Sequence, residues 1–187
     1  AQALSAYRGV GRRMQLVGCA CDITVIDDFA HNPDKIAATL STLQEQPGRL
    51  LIIFQMHGYG PLKLMRSELL EVFARYLRPA DGVWAADRLY MPEVLYMGGT
   101  TDKSYSARDF IEELRMNFND PAQSPASRSC VQWFQNREDI IPALLQDAKP
   151  HDRIVIMGAR DDSLTLFAHE ILNLIAKNGL ERSTDES

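Results

Sequence analysis

The chain has 187 residues, 45% of them hydrophobic, and a formal net charge of -5, enough mass for one globular domain with its own core. The acidic balance, with Lys and Arg scattered rather than clustered, argues against a nucleic-acid partner, because phosphate backbones are gripped by grouped cations. No apolar run reaches the roughly 20 residues that cross a bilayer and no signal peptide opens the chain, so a cytoplasmic protein without membrane contact is expected.

The first residues, AQALSAYRGVGRRMQLVG, enter an ordered pattern with no initiator Met. We therefore expect a domain cut from a longer chain. Met14 to Cys19 and Ile23 to Asp27 read as two strands separated by Ala20 to Asp22, a hairpin-length connection that makes them antiparallel. Pro33 suits the first turn of a helix running to about Leu43. After Gly48, the continuous apolar run LLIIF (Leu50 to Phe54) is typical of a strand covered on both faces.

Leu62, Met65, Leu69, Val72, Phe73 and Tyr76 fall on one helical stripe, predicting a helix from about Leu62 to Leu77 that Pro79 ends. Val83 to Ala86 is the next expected strand, followed by a long irregular loop from Asp87 to Tyr105, rich in Tyr, Met and Gly. Ser106 and Asp109 have capping-box spacing at the head of the helix SARDFIEELR. Asn117 to Arg128, with Pro121 and Pro125, is a loop. Ser129 to Phe134 is a strand, Arg137 to Leu145 a helix, Arg153 to Gly158 a strand and Leu164 to Lys177 the last helix. Asn178-Gly179 is the expected helix stop, leaving 179–187 as a polar tail.

Strand-length apolar runs alternating with amphipathic helices define an α/β, Rossmann-like, mostly parallel sheet with one antiparallel edge strand and helices on both faces. Residues 1–187 form a single domain by this reading. Ligands of such sheets gather at the carboxyl ends of the strands. That rule collects DDFAHNP, QMHGYG, the DRLYMPEVLYMGG loop and GARDD on one rim.

Adjacent side chains on a strand point to opposite faces, so Asp27 and Asp28 are not a proton-sharing pair. An acid at such a strand end binds a ribose hydroxyl in many nucleotide folds, while an Asp turn with a helix cap accounts for the same residues. His31 fits a general base, a phosphate contact or a hydrogen-bonded loop residue, and His57 lies between glycines that permit close backbone approach. His151 and His169 read as structural or solvated. The four His show no HxxxH or HExxH pairing, and Cys19, Cys21 and Cys130 have no CxxC spacing, so no metal site is expected. Buried thiols are the expected state of Cys19 and Cys21.

Arg8, Arg12 and Arg13, around Gly9 and Gly11, are suited either to gripping a polyphosphate or to carrying surface charge; no GxxxxGK[ST] or GxGxxG motif accompanies them. Arg160, Asp161 and Asp162 bring opposite charges together before a helix, as a zwitterion would require and as helix capping partly explains. The residues alone lead to a domain that binds a nucleotide or a small acid.

In order, YRGVGRRMQLVG, VIDDFAHNPDKIAATL, IIFQMHGY and DRIVIMGA resemble the C-terminal domain of the Mur ligases, ATP-dependent amino-acid ligases of peptidoglycan synthesis. The likeness extends over nearly the whole chain. Phe29-Ala30 is similar to the DDFAHHP of the branch that recycles murein tripeptide. Phe54-Gln55, His57 and Tyr59 are similar to the FQPHRY of the branch that adds L-alanine to UDP-N-acetylmuramate. Asn32 stands where both branches have a second His, Gly58 where PHRY has Arg, and GARDD where the family has a small-residue loop.

The resemblance implies one domain of a three-domain enzyme that activates a carboxylate with ATP. It implies UDP-N-acetylmuramate and an amino acid or peptide acceptor as partners, with Mg²⁺ held mainly by a central domain outside this chain. It assigns Arg13 to the ATP phosphates, Asp28 to the nucleotide, and His31 and Asn32 to the same cleft, with His57, Arg160 and Asp161 toward the incoming amino acid. It also implies that this chain alone does not turn over. A free-standing nucleotide-binding module or a non-catalytic partner-binding scaffold is the alternative.

Overall fold

In the computed structural model, residues 11–77, 87–96, 98, 102–117, 130–158 and 161–185 are described. The strands are β1 (Gln15–Ala20), β2 (Ile23–Asp28), β3 (Leu50–Phe54), β4 (Arg88–Pro92), β5 (Val131–Phe134) and β6 (Arg153–Met157). The helices are α1 (Pro33–Gln44), α2 (Tyr59–Leu64), α3 (Arg66–Tyr76), α4 (Ala107–Asn117), α5 (Ile140–Asp147) and α6 (Ser163–Asp185). They build one six-stranded sheet in the order β1-β2-β6-β3-β4-β5. Among the described residues only the β1–β2 pairing is antiparallel, as its short connection requires, and β1 is an edge strand.

The two-residue period of a strand divides the core in two. Leu50, Ile52 and Phe54 face a cluster with Ile36, Leu40, Leu69, Phe73 and Phe110, from α1, α3 and α4. Leu51 and Ile53 face the other way, with Ile140, Leu144, Phe167 and Ile171 from α5 and α6. β3 and β6 lie in the middle of the sheet with every residue buried, which is why LLIIF and the IVIM that follows Arg153 are unbroken apolar runs.

Several elements differ from expectation. β4 occupies Arg88–Pro92, inside the stretch expected to be irregular. Its Leu89 and Met91 join one core and Tyr90 the other, and Pro92, which has no N–H to donate, is its last residue. The expected strand Val83–Ala86 and most of the loop Asn117 to Arg128 lie outside the described residues. The helix predicted from Leu62 begins at Tyr59 and divides at Met65, whose φ of -95° and ψ of 12° leave the helical region. α5 starts at Ile140, after a turn in which Asp139 accepts from the Asn136 backbone and side chain.

Asn178-Gly179 does not stop α6, which continues to Asp185 through most of the expected tail. Gly179 serves a different purpose, because a Cβ there would lie 2.0 Å from Cys21 Sγ. The bare backbone lets the helix pass over the hairpin turn. Cys19 and Cys21 are exposed rather than buried. Cys19 is on the edge strand, and Cys21 and Asp22 both have positive φ (50° and 59°), as the two central residues of a tight hairpin turn must.

The amino ends of the parallel strands carry a buried charge network. Arg49 donates through Nε and Nη2 to the two oxygens of Asp152 (3.1 and 2.6 Å) and through Nη1 to Asp147 (3.1 Å). Asp147 also accepts from Arg88 Nε and from the Tyr90 hydroxyl, each at 2.8 Å. These ion pairs fasten this end of the sheet. Among the described residues no helix is long and apolar enough to cross a membrane.

Candidate functional site

The carboxyl ends of β2, β6, β3, β4 and β5 converge on one rim. At the end of β2, Asp27 and Asp28 point to opposite faces of the sheet. Asp27 accepts from Arg12 Nε (3.1 Å) and Thr165 Oγ1 (2.6 Å) on the α6 side. Asp28 accepts from the backbone N–H of Met14 (2.6 Å) and Ala30 (2.8 Å) and from Thr39 Oγ1 (3.1 Å) on the α1 side. An ionised carboxylate offers about four lone-pair sites, so protein donors occupy most of Asp28.

Asp28 nonetheless lines a hollow of about 240 Å³ together with Arg12, Arg13, Phe29, Lys35 and Thr39. Arg13 is exposed there, whereas Arg12 is buried. With Arg12 paired to Asp27, the two remaining cations, Arg13 and Lys35, suit an anion such as phosphate, and the exposed Phe29 ring supplies an apolar edge. Sites for whole drug-sized ligands run from about 300 Å³ upward, so this hollow is too small to enclose a ligand of nucleotide size.

His31 and Asn32 follow. A carbonyl can only accept, so at 2.8 Å from the Phe29 carbonyl oxygen it is His31 Nδ1 that donates. The His31 ring stands edge-on to His57, with centroids 5.7 Å apart, and to Phe29, at 5.2 Å. Asn32 caps α1 by accepting from Lys35 N at 3.0 Å, with φ -123° and ψ 161°. The departure from His at this position thus yields a helix cap.

Across the rim is a larger cleft of about 420 Å³, lined among others by Gln55, Tyr59, Glu93, Arg137, Asp161 and Ser163. Arg137 donates through Nη1 to Asp161 Oδ2 (2.8 Å) and Gln55 Oε1 (3.3 Å), and through Nη2 to Ser163 Oγ (3.0 Å), with its guanidinium 5.0 Å from the Phe167 ring centre. Asp161 Oδ1 accepts from the Ser163 backbone N–H and hydroxyl. Glu93 accepts from the N–H groups of Val94 and Ala107 and from Trp133 Nε1, which ties β4 to α4 and β5. Burial, reinforced by the Glu93 and Tyr96 charges, raises the Tyr59 phenol above its ordinary value.

The structure thus brings Arg13 and Asp28 to one pocket and Asp161 to the other, with His31 and His57 ring against ring. Arg160 lies outside the described residues. Gln55, Glu93 and Arg137 are rim residues that no site assignment from the sequence included, and Arg12, read as a polyphosphate-gripping or surface arginine, is instead buried against Asp27. Arg137 was findable, since it stands three residues beyond the end of β5, where the strand-end rule applies. Gly158 has φ +154°, and a Cβ there would meet the Gln55 carbonyl oxygen at 2.7 Å, so glycine is what lets β6 turn into this rim. Among the described residues no group of three or more His, Cys, Asp or Glu is arranged to hold a metal ion.

A Rossmann-like sheet bearing a cationic pocket beside an ion-paired polar cleft is an α/β ligand-binding domain. Residues 12–160 match the family described as Mur ligase, glutamate ligase domain, and the chain belongs to the Mur ligases as their C-terminal domain. It is 31% identical over 159 residues to a UDP-N-acetylmuramate–L-alanine ligase of Lachnospira eligens, covering 84% of this chain and 30% of that protein. It is 32% identical over 183 residues to that of Caldicellulosiruptor bescii, covering 97% and 34%. A murein peptide ligase of Psychrobacter arcticus 273-4 has the same fold, with a TM-score of 0.62 and 26% identity over 95% of this chain and 32% of the other. The chain spans about a third of the length of these curated relatives.

Proposed function

We propose that this domain closes over ATP and presents the incoming amino acid in a ligase that extends UDP-N-acetylmuramate with L-alanine. The observation that carries this reading is the pairing of the two pockets on one rim: Arg13 and Lys35 suit phosphate, and the Arg137–Asp161 cleft suits a group bearing both charges. The reaction expected of the whole enzyme has two steps. A substrate carboxylate oxygen bonds to the γ-phosphorus as ADP leaves; the acceptor nitrogen then bonds to the acyl carbon as inorganic phosphate leaves and the amine gives up a proton.

In this scheme Arg13 offsets the negative charge of the transferring phosphoryl group, and Asp28 fixes the backbone on either side of the site through Met14 and Ala30. His57, Arg160 and Asp161 belong to the acceptor side, and His31 with Asn32 to the wall between. Closure against the other domains keeps water from the labile acyl phosphate. Mg²⁺ would be bound mainly by the central domain, and the enzyme would act in the cytoplasm.

The size of the polar cleft, about 420 Å³, and the likeness to a murein peptide ligase favour a second reading, in which the acceptor is the L-Ala-γ-D-Glu-meso-diaminopimelate tripeptide. ADP release by the full-length protein, given UDP-N-acetylmuramate with either L-alanine or the tripeptide, separates the two. Turnover with one acceptor assigns the enzyme. ATP consumption with neither would leave a binding module and sink the ligase reading.

A further inference from the structure

We infer that Arg12 is a positioning residue that couples the phosphate pocket to the acceptor cleft; the inference rests on the ligase reading above. Arg12 is 8% exposed, and its charge is balanced by Asp27, which is fully buried. Beyond that pair its guanidinium donates through Nη2 to the Gly158 carbonyl (2.8 Å) and through Nη1 to the Asp161 carbonyl (3.2 Å). Its own carbonyl accepts from the Phe29 N–H at 2.7 Å, and its N–H donates to Gln15 Oε1 at 2.8 Å. One residue therefore fastens the segment before β1 to the β2–α1 connection through its backbone and to the β6–α6 connection through its side chain.

The backbone explains why two adjacent arginines differ. Arg12 has φ +56° and Met14 φ +46°, a left-handed conformation that side chains other than Gly rarely adopt and that persists only where surrounding contacts over-determine it. Asp28 holds Met14 N–H on one side, and Phe29 with Gln15 hold Arg12 on the other. Arg13 lies between these anchors and is exposed onto the phosphate pocket while Arg12 is turned inward.

Asp161 is the far end of the linkage. Its carbonyl is held by Arg12 and its carboxylate by Arg137 in the acceptor cleft. A displacement of residues 12–14 when Arg13 takes up an anion is thus carried through a rigid planar fork to the acidic side chain of the other cleft. Lysine could keep the charge beside Asp27 but has no planar fork to bridge two separate carbonyls.

The test uses the full-length protein, its ADP-release assay and two variants. Arg12→Lys keeps the buried charge pair; Arg12→Gln combined with Asp27→Asn removes both buried charges together, so neither leaves an isolated charge. Both should lower kcat/KM for the acceptor about ten- to a hundred-fold, the scale expected of a sub-ångström to 1 Å misplacement. KM for ATP should change less than about two-fold, since Arg13 remains in place. Wild-type acceptor kinetics in both variants would reduce Arg12 to a structural ion pair, and a rise in KM for ATP alone would confine it to the phosphate side. If neither variant folds, amide exchange on the wild type decides. ADP should slow exchange at Asp161 to Ser163, and unchanged exchange there would overturn the coupling. No ATP consumption by the wild type with either acceptor is a different result, which removes the ligase reading and this inference with it.

Discussion

Asp27 and Asp28 show how far a residue's chemistry is set by its neighbours. The alternation of a strand was enough to separate their carboxylates, but not to tell that one would be paired with Arg12 and the other divided among Met14, Ala30 and Thr39. Arg13 and Asp28 should therefore fail differently. Arg13 is exposed, so Arg13→Ala in the full-length enzyme should lower turnover while moving stability by no more than about 0.5 kcal/mol. Asp28→Ala strands buried donors that lose a charged acceptor, and should cost about 2–4 kcal/mol in denaturant unfolding besides activity. Equal stability losses in the two variants would refute this division of roles. Asn32 was legible only as a departure from a motif; its service as a helix cap depends on a backbone conformation that the motif does not specify.

At the scale of elements, patterns that depend on a residue's immediate neighbours transferred well. LLIIF became β3 with the bounds read from the sequence, and Ser106 and Asp109 form the expected reciprocal cap, with the Ser106 N–H on Asp109 Oδ2 at 2.8 Å and the Asp109 N–H on Ser106 Oγ at 3.2 Å. Elements that depend on a distant partner did not. RLYMP becomes a strand because β3 and β5 flank it and both cores receive its side chains. Gly179 signals a helix end locally, yet α6 continues because Cys21 requires an absent Cβ and the helix is packed against β1 and β2. Gly179→Ala should cost about 1–3 kcal/mol through this overlap despite alanine's higher helix propensity. Adding Cys21→Ala should recover much of that loss in thermal unfolding, because the nearest remaining atom, Cys21 Cβ, is 3.5 Å away. A stabilising Gly179→Ala would show that the helix does not pass this close.

Across the whole molecule, charge is divided between a fastened end and a working end. Burial by itself would raise the Asp147 carboxyl, but the Tyr90 hydroxyl and the Arg49 and Arg88 guanidiniums outweigh it and hold Asp147 below the ordinary carboxylate value. A carboxyl depressed on folding binds its proton more weakly in the folded state than in the unfolded one. Its stabilisation is complete above the unfolded value near 4 and is lost as pH falls through the folded value. The stability difference between wild type and Asp147→Asn, from denaturant midpoints, should be largest near pH 7 and shrink below about pH 4; a constant difference would exclude this coupling. The isolated chain should fold, since both faces of its sheet are covered, and by the proposed function should release no ADP unaided. Composition and the strand and helix periods were sufficient by themselves to determine the α/β class, the antiparallel edge strand and the rim, because each depends on short-range alternation or on connection length; the family rested on the resemblance of its ordered motifs. Tertiary structure alone decided that Arg12 turns inward while Arg13 faces a pocket, that Arg137 and Asp161 share a cleft, and that Gly179 lies within a helix. Those outcomes depend on contacts between residues 15 to about 160 positions apart in the chain, whose distance and burial no local pattern encodes.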